Sequence, residues 1–133
     1  MDQLAFYRAK LAYEIDSWDV AEQQKQGAAL LLVDGRSPAA YAAETLPGAI
    51  NLPHRGITAE STAQLPRDVL LVTFCDGIGC NASTKTALKL AELGFRVKEL
   101  QGGVDWWKRD GYPTVAGGAS CDINRAADCG CGG

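Results

Sequence analysis

Two cysteines, Cys75 and Cys80, stand in one short loop of the stretch Val69 to Phe95, between an apolar run and a helix-forming run. A thiol reacts as its thiolate, and a free cysteine with a pKa near ~8.5 is mostly protonated at neutral pH. The loop carries two remedies. The amides of Asp76, Gly77, Ile78, Gly79, Cys80, Asn81 and Ala82 can converge on one point as an anion-binding nest, with Gly77 and Gly79 free to take the dihedrals this requires. A helix starting near Ser83 would add the partial positive charge of its N-terminus. Backbone donors stabilise a thiolate, a persulfide or a substrate oxyanion alike, so they do not name the reaction. Cys80 has two readings. It is a resolving thiol that attacks a persulfide or sulfenic acid on Cys75, releasing sulfide or water and leaving a disulfide, or it is a small apolar filler under the loop. The two sulfurs meet only if the loop permits disulfide geometry.

The elements around this loop must hold it. Leu70 to Phe74 reads as a strand buried on both faces, as does Ala28 to Val33, and both lack the alternation of a half-exposed strand. The run from Ser83 to Leu93 predicts a helix burying Ala87, Leu88, Leu90, Ala91 and Leu93, with Lys85, Lys89 and Glu92 outward and Gly94 as its stop. Upstream, Leu4, Tyr7 and Leu11 predict a packed helix over 3–13, and Ser17 predicts the N-cap of a second helix ending at Gly27. Ser37-Pro38 opens a short helix, and Leu46 to Pro53 reads as a turn with a very short strand. Residues 54–68 read as a surface connection. Val97 to Leu100 is a further strand, Gly102-Gly103 a turn, and Val104 to Asp110 a short helix with Trp106 and Trp107. Strands alternating with helices predict an α/β fold with a largely parallel sheet, whose functional crevice lies at the carboxyl ends of the strands. Cys75 sits at one.

The chain has 133 residues, which suits one domain able to bury roughly two thirds of its unfolded surface. Apolar residues make up 47% and charged residues 22%, an ordinary soluble globular composition. A net charge of −3 gives no footprint for nucleic acid or an anionic membrane, and neither partner is expected. Met1-Asp2-Gln3-Leu4 lacks the positive start and apolar core of a secretory signal, so a cytoplasmic location is expected. Five cysteines, an odd number, favour reactive or metal-binding thiols over a complete disulfide framework. Three of them, Cys121, Cys129 and Cys131, lie in a Gly/Ala/Asp/Cys-rich tail. Their Cys-x7-Cys-x-Cys spacing is not a common structural zinc pattern, so neither a metal nor another cofactor is expected; the tail thiols read as sulfur acceptors or incidental surface cysteines.

Five pieces in fixed order carry a resemblance: Asp34-Gly-Arg36 followed by Ser37-Pro38-x-x-Tyr41; Leu46-Pro-Gly-Ala-Ile-Asn-Leu-Pro53; Cys75 after its strand; Leu93-Gly-Phe95; and Gly102-Gly-x-x-x-Trp107 with Gly111-Tyr-Pro113. Together they resemble the rhodanese-like domain family over about residues 17–115, leaving 1–16 as a helical extension and 116–133 as the tail. The resemblance implies a three-layer α/β fold with a parallel sheet of about five strands flanked by helices. It implies a sulfurtransferase that carries sulfane sulfur as a persulfide on Cys75, passing it from thiosulfate or another persulfide to a thiol or other nucleophile. It also implies that Asp34 and Arg36 brace the loop through hydrogen bonds and a salt bridge. The chain departs from the family twice. The loop from Asp76 to Ala82 is longer than usual and lacks the arginine that normally precedes Ser83, so a low-charge persulfide is at least as plausible a donor as thiosulfate. Glu44-Thr45 stands where many members have Gly-His, which reads as a scaffold change.

Competing readings remain. A non-catalytic binding or thiol-redox module would use the same fold with Cys75 and Cys80. A cysteine phosphatase would need a loop arginine to balance a phosphate dianion, and the nearest downstream is Arg96. His54 reads as a surface or packing histidine, Trp106 and Trp107 as anchors of core and pocket wall, and Lys108 and Arg109 as a solvated helix face.

Overall fold

The computed structural model describes residues 2–117. Its centre is built by the two unalternating apolar runs, now β2 (Leu30–Asp34) and β4 (Leu70–Phe74), which pair in parallel from Leu30↔Leu70 to Asp34↔Phe74. Successive side chains of a strand point to opposite faces, so both faces of these strands need a cover. Leu32, Val72 and Phe74 enter one core with Val20, Leu46, Leu100, Val104 and Trp107. Val33 and Leu71 enter the other with Ile57, Leu90 and Phe95.

Three further strands complete the sheet: β1 (Glu14–Ile15), β3 (Ile50–Asn51) and β5 (Arg96–Leu100), in the order β1-β5-β4-β2-β3. Every pairing in this sheet is parallel, and the five-stranded α/β architecture expected from the sequence is observed. The helices are α1 (Gln3–Tyr13), α2 (Ser17–Lys25), α3 (Pro38–Ala43), α4 (Ala82–Glu92) and α5 (Gly103–Arg109), with a 3-10 turn at His54–Gly56. Through Val20, Ala21, Val104 and Trp107, α2 and α5 cover the first core. Leu90 of α4 covers the second.

Three local expectations need correction. Helix α1 forms, but none of its residues is buried, and Leu4, Tyr7 and Leu11 are exposed. Its apolar spacing is a helix signal that finds no core among the described residues. Helix α2 is capped by Asp16, whose carboxylate accepts from Asp19 N at 2.8 Å, while Ser17 is the first, buried helical residue. The buried stripe of α4 is Ser83, Thr86 and Leu90, whereas Leu88 is 61% exposed. The end of β2 explains that stripe: a side chain on Gly35 would meet Thr86 Oγ1 at 2.9 Å and the Ala82 carbonyl at 3.2 Å. The helix therefore lies so close to the strand that small polar residues face it.

No helix among the described residues is long and apolar enough to cross a membrane. The tail with Cys121, Cys129 and Cys131 lies outside the described residues, and so do the expectations placed on it.

Candidate active site

Cys75 follows the last residue of the central strand β4 and is 2% exposed. It stands at the carboxyl end of a parallel sheet, the edge at which such folds bind ligands. Three contacts hold this end of the loop. The Cys75 carbonyl accepts from Val104 N at 2.9 Å, and the Asp76 carbonyl accepts from Asp105 N at 2.8 Å, so the first turn of α5 is stitched to the loop. The Asp76 carboxylate receives Arg36 Nη1 at 3.0 Å.

The stitch depends on Gly103. At φ +57°, a Cβ on this residue would fall on the Cys75 carbonyl, so only a glycine lets α5 approach this closely. The Gly102-Gly103 pair is thus part of the site as well as a turn.

Arg36 joins the site to the sheet. Its guanidinium is almost buried and grips Asp34, which is fully buried, through Nε at 3.0 Å and Nη2 at 2.8 Å. It also donates to the Glu44 carbonyl. Burial alone would pull its pKa down, but the hydrogen bonds to Asp34 and Asp76 outweigh that and hold it above the ordinary arginine value. Thr45, 1% exposed, donates to Asp34 Oδ2 at 2.8 Å, the oxygen that also receives Arg36 Nη2. Glu44 receives Thr114 Oγ1 at 2.8 Å and Lys108 Nζ at 3.1 Å, and Thr45 pairs antiparallel with Val115. The Glu44 side chain thus ties Thr114 to the end of α3, beside the backbone pairing of Thr45 with Val115.

Beyond Asp76, among the described residues, residues 77–80 hydrogen-bond only to one another. Cys80 N donates to Gly77 O at 3.3 Å, which closes a turn. Gly79 takes φ +93° in open space, and Ile78 is 80% exposed. Cys80 is half-buried and is disulfide-bonded to Cys75, with Cα atoms 6.2 Å apart. Among the described residues, the amides of Gly77, Ile78, Gly79, Asn81 and Ala82 donate to no protein acceptor. They remain available to an anion, while the Cys80 amide is already used. Asn81 occupies the N-cap of α4 with no side-chain cap bond. The Ser83 hydroxyl donates to Glu99 Oε2 on β5 at 3.0 Å.

An open cleft of about 470 Å³ lies outside the loop, lined by Asp76, Gly77, Ile78, Cys80, Asp105, Trp106 and Arg109. Arg109 Nε donates to Asp105 at 3.1 Å and its guanidinium lies over the Trp106 ring. Trp107, in contrast, is a core residue whose indole donates to the Pro113 carbonyl. Sequence reasoning missed the site roles of Thr45, Asp105 and Gly103; the Glu44-Thr45 departure and the glycine pair each left a sequence signal, and Asp105 left none. His54 lies at the 3-10 turn, outside this cleft, where its carbonyl accepts from Lys89.

The family model of the rhodanese-like domain matches residues 17–110. The chain belongs to the rhodanese-like domain family. It is 33% identical over 103 residues to a protein named sulfurtransferase from Allochromatium vinosum, covering 77% of this chain and 94% of that one. It is 30% identical over 95 residues to the HTH-type transcriptional regulator Rv0324 of Mycobacterium tuberculosis, covering 71% of this chain but 42% of the regulator. Among solved structures, the BH2092 protein from Bacillus halodurans superposes with a TM-score of 0.79 at 32% identity, covering 93% of this chain and 95% of that one. A rhodanese-related protein from Thermoplasma volcanium gives 0.67 at 27% identity, covering 78% and 98%.

Proposed function

We propose that this rhodanese-like domain is a sulfurtransferase whose nucleophile is Cys75 in its reduced form. The Cys75 thiolate attacks the outer sulfur of a donor; a new S–S bond forms as the donor's S–S bond breaks, and the donor leaves as a thiolate, or as sulfite from thiosulfate. The outer sulfur of the Cys75 persulfide then passes to a thiol or other nucleophilic acceptor. The observation carrying this reading is the placement of Cys75 at the carboxyl end of the central strand, beside free loop amides and the N-terminus of the 11-residue helix α4. Asp34 and Arg36 support the loop by holding Asp76.

Charge favours a low-charge donor. Arg36 and Arg109 supply two cations to this region, against three carboxylates in their own ion pairs, those of Asp34, Asp76 and Asp105. Among the described residues a thiosulfate dianion gains no unspent cation here, whereas a small or protein persulfide asks for less. The same shortage argues against phosphate-ester hydrolysis.

The bonded Cys75–Cys80 pair favours a second reading, a thiol-redox module with no sulfur transfer. Intact-protein mass spectrometry separates the two. After reduction and exposure to glutathione persulfide or thiosulfate, a Cys80→Ser protein should gain about 32 daltons, one sulfur atom. No gain, or a gain that survives Cys75→Ser, refutes the sulfurtransferase reading.

A further inference from the structure

Cys75 and Cys80 share a loop but are held unequally. Cys75 and Asp76 are fixed by α5 and Arg36. Cys80 sits on the part of the loop that bonds only to itself, and the turn closed by Cys80 N on Gly77 O folds it back over Cys75. The Cα separation of 6.2 Å lies within the span of a disulfide. The loop thus places a second sulfur on the Cys75 sulfur while Cys75 and Asp76 keep their bonds to α5 and Arg36. Cys80 is also the more accessible of the two, and it lines the open cleft with Ile78 and Trp106.

Resting on the sulfurtransferase reading above, we propose that Cys80 is a second catalytic thiol that discharges the Cys75 persulfide as sulfide, making the domain a dithiol-dependent persulfide reductase. The Cys80 thiolate attacks Cys75 Sγ. The Sγ–Sγ bond forms, and the bond from Cys75 Sγ to the outer sulfur breaks. The outer sulfur leaves with that electron pair and its own proton as hydrosulfide: Cys75-S-SH plus Cys80-S⁻ gives Cys75-S-S-Cys80 plus HS⁻. The sulfane sulfur is reduced by two electrons as the two cysteines are oxidised to the disulfide. A dithiol reductant, small or carried by a protein, then attacks the more accessible Cys80 sulfur. By two exchange steps it becomes a disulfide itself and restores both thiols. Sulfur on Cys75 therefore has two exits, transfer to an acceptor or release as sulfide.

The full chain, reduced and desalted under anaerobic conditions, is loaded with thiosulfate, whose sulfite product counts loading events, and in parallel with inorganic polysulfide. No thiol is added afterwards. With thiosulfate, wild type should release one sulfide per sulfite. With either donor it should lose two alkylatable thiols and keep no added sulfur. Cys80→Ser and Cys80→Ala should keep the added sulfur atom on Cys75, with sulfide yield lower by roughly tenfold or more. Wild type that retains the adduct with Cys80 still alkylatable overturns the proposal, and so does an adduct found on Cys80 itself. The first result leaves the sulfurtransferase reading standing; an adduct on Cys80 leaves it standing only if Cys75→Ser abolishes that adduct. If wild type and both variants take up no sulfur from either donor, that reading fails and this one fails with it.

Discussion

Arg36 Nη1 stands 3.0 Å from Asp76 Oδ1 while the same guanidinium grips Asp34, so one side chain ties the end of β2 to the loop after Cys75. The two carboxylates differ sharply: Asp34 is fully buried and the Asp76 side chain is 73% exposed. Removing the cation from a buried pair leaves an uncompensated charge, at a cost of about 3–5 kcal/mol. Arg36→Ala should therefore lower unfolding stability by about that much. Asp76→Asn, at an exposed pair, should cost under about 1 kcal/mol. Urea denaturation of both variants checks the ranking, and equal losses would mean that Arg36 acts mainly through Asp76.

Thr45 fills one of the remaining acceptor positions of Asp34. Thr45→Val keeps the shape and deletes the donor, so a buried carboxylate loses a charge-assisted bond. The expected loss is about 1.5–3 kcal/mol. Thermal or urea unfolding reads it, and an unchanged midpoint would show that Arg36 alone satisfies Asp34.

The parts legible in the sequence are those written locally. The apolar runs of β2 and β4, the Ser37-Pro38 opening of α3 and the Gly94 stop after α4 each state their structure within a few residues. The family motifs then order them. What was not legible depends on partners distant in the chain. Arg36 meets Asp76 across 40 positions, and Glu44 meets Thr114 across 70. Nothing in the local pattern of α1 says that its apolar residues find no core, and nothing in that of α4 says that Gly35 packs close enough to bury Thr86 in place of Leu88. Cys80 was visible as a second thiol, but its return onto Cys75 depends on the turn from Gly77.

Gly103→Ala should damage the site through the backbone. The residue sits at φ +57°, and its added methyl would fall on the Cys75 carbonyl. Left-handed strain and overpacking each cost about 1–3 kcal/mol, giving roughly 2–6 kcal/mol in all. Chemical denaturation measures this loss. Gly79→Ala is the control, since it has positive φ but open space around it, and should lose only the strain component.

Two groups give stability different pH windows. The bonds from Thr114 and Lys108 hold Glu44 below its ordinary value of 4.5, so its contribution is present above that pH and is lost as pH falls through the depressed native value. His54 is held below 6.5 by desolvation and by Lys85, Lys89 and Arg55. The unfolded chain then takes up its proton first, and the fold weakens as pH drops below 6.5 until the native histidine also titrates. In melting curves against pH, His54→Gln should flatten the decline just below 6.5. The gap between wild type and Glu44→Gln should close in acid. A decline below pH 6.5 that persists unchanged in His54→Gln would assign that window to another group.

On the proposed sulfurtransferase reading, the balance of charge around the cleft would set donor choice, and Asp105 is the residue through which to change it. Asp105 carries two separable roles: its backbone N–H donates to the Asp76 carbonyl, and its carboxylate occupies Arg109. Asp105→Asn keeps the first and weakens the second, leaving Arg109 with an unspent charge beside the loop and removing one carboxylate. A dianionic donor should gain from both changes, and a less charged persulfide should gain less. The expected result is a rise of about threefold to tenfold in kcat/KM for thiosulfate, equivalent to roughly 0.7–1.4 kcal/mol, with a smaller change for glutathione persulfide. Raising the salt concentration should shrink the thiosulfate gain, because exposed charges are screened. Arg109→Gln alone should change thiosulfate turnover little, since that arginine is already paired in the wild type. In the Asp105→Asn background the same substitution should remove the gain. Equal changes for both donors would mean that the variant altered the loop's position rather than its electrostatics, and would remove charge as the basis of donor choice.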